Sequence, residues 1–237
     1  MLALSGEGPT IVLEAGFGSS HRVWNPLPSM LSPLGRVVMY DRPGLGRSEA
    51  CARPRTARVI AEELREGLAR GGFKPPYLLI GWSFGGSLVR VFAGMYPGDV
   101  AGVVLIDPTA EDFYARAVRE HPAVYDSVNA EDEKRAASGP VGELAEEASW
   151  DTSMAQVRRS LTGWTRPTIL LSSARADLGV LGPLWGDEQR RLADGMPNTR
   201  FVPVSGAGHA IHRDQPAAVV TAVQELLHSI PDDGRPH

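Results

Sequence analysis

A chain of 237 residues with 43% hydrophobic and 22% charged side chains carries enough apolar material for one full core, so a single domain over 1–237 is expected. A net charge of −4, with arginines scattered along the chain, leaves no basic stripe and excludes nucleic acid as an expected partner. No run approaches the ~20 apolar residues of a membrane span, so no membrane partner is expected. The first nine residues lack the charged start and apolar centre of a secretory signal, and the expected location is cytoplasmic. The one cysteine, Cys51, can form no internal disulfide.

In chain order, short apolar runs occur at Thr10 to Leu13, Arg36 to Tyr40, Tyr77 to Ile80, Val103 to Ile106, Thr168 to Leu171 and Arg200 to Val204. They are continuous rather than alternating, as strands covered on both faces are. Helical patterns separate most of them, roughly at 22–34, 56–71, 84–96, 186–195 and 215–229. This alternation predicts an α/β architecture with a mainly parallel sheet, whose functional edge lies at the carboxyl ends of the strands. The stretch 108–165 has no strand-like run and reads as a small helical cap inserted after a strand end. Its aromatics, Phe113, Tyr114, Tyr125, Trp150 and Trp164, either line a pocket from above or pin the cap to the sheet. The polar tail 231–237 is expected to fray.

The chemistry centres on Gly81-Trp82-Ser83-Phe84-Gly85, placed between a predicted strand and a predicted helix. A Gly-x-Ser-x-Gly sequence there forces the serine into a tight turn that projects its hydroxyl above the sheet, beside the electropositive start of a helix. Ser83 is therefore the candidate nucleophile. A serine hydroxyl needs a base, and the base an orienting acid. His209, in the glycine-rich loop Ser205-Gly206-Ala207-Gly208-His209 beyond the last strand, is the preferred base. His212, beside Arg213 and Asp214, is better suited to a solvated or capping role. Two aspartates reach the same edge. Asp177, a few residues beyond the strand ending near Ser172, is the preferred acid, and Asp107, at the end of the Val103 to Ile106 strand, is the alternative. Asp107-Pro108 also makes sense as a strand stop and cap.

With these residues placed, the chain resembles the α/β-hydrolase superfamily, in particular small bacterial serine hydrolases and esterases with a helical cap. Gly81 to Gly86 looks like the nucleophile elbow, and Gly16-Phe17-Gly18-Ser19-Ser20 like the oxyanion loop. Tyr40-Asp41-Arg42-Pro43-Gly44-Leu45-Gly46-Arg47-Ser48 is similar to an architectural turn of the family, and Gly206-Ala207-Gly208-His209 to its histidine loop. The resemblance implies oxyanion donors at the backbone N–H groups of Phe17 and Phe84. Ala15, preceded by Glu14, stands where many relatives carry a histidine that braces the oxyanion loop. The resemblance also implies that the family's first strand is missing and its second shortened to Leu2 to Leu4, leaving a sheet edge through which two copies could pair.

The expected activity is hydrolysis of a carboxylic ester or related small to medium apolar acyl substrate, through an acyl-enzyme at Ser83. An acyltransferase using the same residues and a non-catalytic ligand-binding receptor are the alternatives. Pocket candidates are Trp24, Trp82, Phe113 and Leu178. No cofactor and no metal is expected: the chain has no Gly-x-x-x-x-Gly-Lys phosphate loop, and Gly16-x-Gly18 lacks the third glycine of a dinucleotide fingerprint.

Overall fold

The computed structural model describes residues 1–4, 6–126, 130, 139–160 and 162–230. The tail 231–237 and the cap positions 127–129, 131–138 and 161 lie outside the described residues. Seven strands form one sheet: β1 (Leu2–Leu4), β2 (Thr10–Glu14), β3 (Arg36–Met39), β4 (Tyr77–Trp82), β5 (Val100–Ile106), β6 (Thr168–Ser172) and β7 (Thr199–Pro203). Their order is β1-β3-β2-β4-β5-β6-β7. All neighbours are parallel except β1, a three-residue antiparallel edge strand on β3 that pairs Leu2 with Met39 and Leu4 with Val37.

The continuous apolar runs sort by the two-residue period of a strand. Val12, Leu79, Val103, Leu105 and Leu170 face one core layer, where the helices α2 (Ala57–Arg70), α3 (Phe84–Met95) and α7 (Leu181–Asp194) supply Leu64, Leu68, Phe92 and Leu184. Ile11, Leu13, Leu78, Ile80, Val104 and Ile169 face the other, against Leu27 and Leu31 of α1 (Leu27–Leu31) and Val219, Val223 and Leu226 of α9 (Pro216–Ser229). Each such side chain, once buried, contributes about 1.5–3 kcal/mol relative to exposure. Covering both faces is therefore what drives the layered fold and leaves only the strand ends open for chemistry.

Two predicted helices change extent. The pattern at 22–34 splits into a 3-10 turn, His21–Trp24, and α1, because Pro26 has no N–H to continue the first turn. The pattern at 186–195 begins earlier, since α7 starts at Leu181. Within 108–165 lie α4 (Phe113–Glu120), α5 (Val141–Glu147) and α6 (Trp150–Ser160). Side chains of α6 close the open start of α2: Ser153 Oγ accepts the Ala57 N–H at 3.1 Å and Gln156 Oε1 the Arg58 N–H at 2.8 Å. These are two of the amides a helix N-terminus leaves without intrahelical partners, so α6 is tied to the core layer. The last helices are α8 (Ile211–Asp214) and α9. Among the described residues, no helix is long and apolar enough to cross a membrane.

Candidate active site

Ser83 sits between the last residue of β4 and the first of α3 with φ 55 and ψ −123. This is a left-handed conformation that costs a non-glycine residue about 1–3 kcal/mol and persists only where the surroundings fix it. The surroundings do fix it. The Ser83 N–H donates to Ile106 O at 3.0 Å, and its carbonyl accepts from Gly86 N at 2.9 Å and Thr109 N at 3.0 Å. The flanking glycines are steric requirements: a Cβ at Gly81 would stand 2.5 Å from Gly85 O, and one at Gly85 2.1 Å from Glu14 O. Because a trans peptide points its C=O and N–H in opposite directions, holding the Ser83 carbonyl on Gly86 and Thr109 turns the Phe84 N–H the other way, at the free start of α3.

The imidazole of His209 joins Ser83 to an aspartate. Its Nε2 lies 2.9 Å from Ser83 Oγ and its Nδ1 2.6 Å from Asp107 Oδ2. A carboxylate only accepts, so Nδ1 carries the proton and Nε2 offers its lone pair to the serine hydroxyl. The carboxylate that meets His209 is thus the alternative, Asp107, and not Asp177, the acid that the sequence favours. Asp107 is completely buried, and its left-handed backbone, φ 44, turns the side chain across the end of β6. There Oδ1 accepts from Ser173 N at 2.9 Å and the Trp185 indole at 3.1 Å, and Oδ2 from Ser173 Oγ at 3.0 Å. Asp177 instead closes on its neighbour Arg175 at 2.8 Å, with its side chain 55% exposed. That hydrogen bond holds the Asp177 carboxyl below the usual aspartate range. Asp-Pro was legible as a strand stop. The donors that fix the Asp107 carboxylate beside His209 come from Ser173 and Trp185, 66 and 78 positions away, and no local signal announces them.

His212, for which a solvated or capping role is expected, is fully buried. It packs at a steep angle against Trp24 and Trp82, each 4.8 Å away between ring centroids, and its Nε2–H donates to Val23 O at 3.1 Å. Burial drives its pKa down to about 4, so the ring is neutral.

The Gly16–Gly18 loop is braced by a group that the missing histidine left unaccounted for. Arg42, 2% exposed, spends all five N–H donors. Nη1 reaches Glu14 Oε1 at 2.8 Å and Ala15 O at 2.7 Å; Nη2 reaches Gly16 O at 2.7 Å and Glu146 Oε2 at 3.0 Å; Nε reaches Glu146 Oε1 at 2.5 Å. The Tyr40 hydroxyl donates to the other Glu14 oxygen. Burial alone would weaken the charge on Arg42, but Glu146 and Glu14 hold the guanidinium well above its ordinary range. Burial pushes the Glu14 carboxyl up, against the opposite pull of Arg42 and Tyr40.

The four pocket candidates fare differently. Trp24 lines no open surface: it is fully buried in the layer with Leu27 and Leu31. Trp82 is a brace, its indole N–H donating to His209 O at 2.9 Å. Phe113 packs into the core on Trp185, with ring centroids 4.9 Å apart. Leu178 is half-buried at the edge of the same layer. Two of the cap aromatics offered above as a pocket roof do reach the elbow: the Phe84 ring meets Phe17 at 6.0 Å and Trp150 of α6 at 5.3 Å, and Tyr114 stands 5.6 Å from Trp150.

Layered sheet, elbow and histidine loop together define a class, and the comparison with known sequences names it. The chain belongs to the alpha/beta hydrolase family, whose profile matches residues 11–222. It is similar to the uncharacterized protein YqjL of Bacillus subtilis, 27% identical over 221 residues that make up 92% of this chain and 83% of that protein. Among solved structures it is similar to a thermophilic esterase from Thermogutta terrifontis, with a TM-score of 0.72 and 23% identity over 96% of this chain and 92% of the other. An enol-lactonase from Burkholderia xenovorans LB400 superposes with a TM-score of 0.66 and 21% identity, covering 96% of both chains. At such identities these structures establish the shared fold.

Proposed function

We propose that the protein is a serine hydrolase cleaving carboxylic esters or related acyl compounds through an acyl-enzyme at Ser83. The observation that carries this reading is the unbroken hydrogen-bonded chain from Ser83 Oγ through His209 to Asp107. Ser83 Oγ attacks the acyl carbon as His209 Nε2 takes its proton, and Asp107 holds the imidazole in the required tautomer and balances the imidazolium. The N–H groups of Phe17 and Phe84 receive the negative charge that develops on the carbonyl oxygen. His209 returns the proton to the leaving alcohol, then activates water to release the acid. Family membership supports hydrolysis as the reaction type. The esterase and lactonase of the same fold make an ester bond, open or cyclic, the first substrate to try. The rings of Phe17, Phe84, Trp150 and Tyr114 favour a small to medium apolar acyl group.

A panel of p-nitrophenyl esters of increasing acyl length tests the reading. Wild type is expected to turn over the short members, and Ser83→Ala to lose about 10⁶ in kcat, while a fluorophosphonate adds covalently at Ser83. Undiminished hydrolysis by Ser83→Ala would sink the mechanism.

A further inference from the structure

Glu146 lies on the cap helix α5, 104 positions from Arg42, yet it is 1% exposed and reaches the oxyanion loop. Its Oε1 accepts from Arg42 Nε at 2.5 Å, and its Oε2 from Arg42 Nη2 and the Gly18 N–H, both at 3.0 Å. The loop is therefore fixed on both sides of Phe17. On one side Gly16 O is held by Arg42 Nη2 at 2.7 Å; on the other the Gly18 N–H is held by Glu146. The peptide joining Gly16 to Phe17 is planar and trans, so a carbonyl locked onto the guanidinium sends the Phe17 N–H away from it. Gly16 itself packs beside the nucleophile, where an added Cβ would stand 3.3 Å from Ser83 Cβ.

Helix α5 makes further contacts that seat this carboxylate. Gly142 N donates to Gly44 O at 3.2 Å in the Asp41 to Ser48 turn, and the approach is so close that a Cβ at Gly142 would meet Pro43 O at 2.7 Å. Glu143 covers Gly18, where a Cβ would come within 2.6 Å of its carboxyl carbon. The turn after β3, which carries Arg42, thus serves as the socket for a cap helix.

We propose that Glu146 is a positioning residue for the oxyanion loop, so that the Phe17 N–H is correctly aimed only while the cap helix is docked. The cap then contributes to the reaction step itself as well as to covering the substrate. Relative to a well-packed apolar contact, a buried ion pair adds little net stability, and what this one does add is a fixed peptide orientation. The inference rests on the acyl-enzyme reading above, in which Phe17 is an oxyanion donor.

The test compares wild type, Glu146→Gln, Glu146→Asp and, as a control on the exposed side of the same helix, Glu147→Gln, with p-nitrophenyl butyrate and an alkyl trifluoromethyl ketone. Glutamine matches the shape but presents N–H donors to Arg42 or Gly18. A kcat loss of about 10²–10³, the scale of a lost oxyanion donor, is expected. KM should stay near wild type, trifluoromethyl ketone binding should weaken by a comparable factor, and Glu147→Gln should behave as wild type. A kcat within about twofold of wild type, or a change confined to KM, would overturn the inference while leaving the acyl-enzyme reading intact. If wild type itself hydrolyses no ester and fluorophosphonate leaves Ser83 unmodified, the parent reading fails and this inference fails with it. Should Glu146→Gln melt below the assay temperature, Glu146→Asp decides: the same loss in kcat alone supports the inference, and undiminished kcat overturns it.

Discussion

Two aspartates and two histidines stand at the carboxyl edge of the sheet, and the members of each pair have opposite surroundings. Asp107 is sealed from solvent and takes four hydrogen bonds, from Ser173 twice, Trp185 and His209; Asp177 is half in solvent and answers to Arg175, two residues away. Of the histidines the more exposed one faces Ser83. The His209 side chain is 26% exposed with both ring nitrogens committed to Asp107 and Ser83, whereas His212 is buried, neutral and bonded to a backbone carbonyl. The comparison teaches that reaching the functional edge is not enough. A carboxylate orients a base when donors from other strands fix it there, and an imidazole can serve as a base when one ring nitrogen is held by that carboxylate and the other faces a hydroxyl.

The widest separation is expected at the two acids. Asp107→Asn should lower kcat for p-nitrophenyl ester hydrolysis by about 10⁴, because an amide at that place favours the wrong imidazole tautomer; steady-state assays would read it directly.

The histidines separate on a different axis. With a pKa of about 4 in the folded protein and an ordinary value of 6.5, His212 refuses a proton that the unfolded chain accepts. Its contribution to stability is complete above pH 6.5 and is lost as pH falls through that window toward 4, amounting to about 3 kcal/mol. Urea unfolding across this range should show a shallower acid loss for His212→Gln than for wild type, and an unchanged slope would refute the assignment. The smallest effect is expected at Asp177→Asn. An exposed pair is worth about 0–1 kcal/mol, so kcat should remain within about fivefold of wild type. A loss rivalling that of Asp107→Asn would erase the contrast between the two acids.

What the sequence made legible was local. Continuous β-branched runs marked six strands, and the shortened edge strand Leu2–Leu4 was readable from the resemblance. The Gly-x-Ser-x-Gly turn marked the strained position of Ser83, the proposed nucleophile, since its glycines answer a steric demand inside one strand-turn-helix unit. What stayed hidden depends on distant partners. Asp107 was open to two readings because Ser173 and Trp185 arrive from elsewhere in the chain. Arg42 looked like one residue of an architectural turn until Glu14 and Glu146 closed on it from 28 and 104 positions away. Trp24 and His212 were misplaced for the same reason: each has the other as a ring neighbour, and neither sequence context announces that.

The most direct test of the central claim is proton NMR of the His209 ring, comparing wild type, Asp107→Asn and Asp177→Asn. A strongly downfield Nδ1–H resonance should be present in wild type and in Asp177→Asn and absent or moved well upfield in Asp107→Asn. The reverse pattern, with the resonance surviving Asp107→Asn and vanishing in Asp177→Asn, would contradict the account.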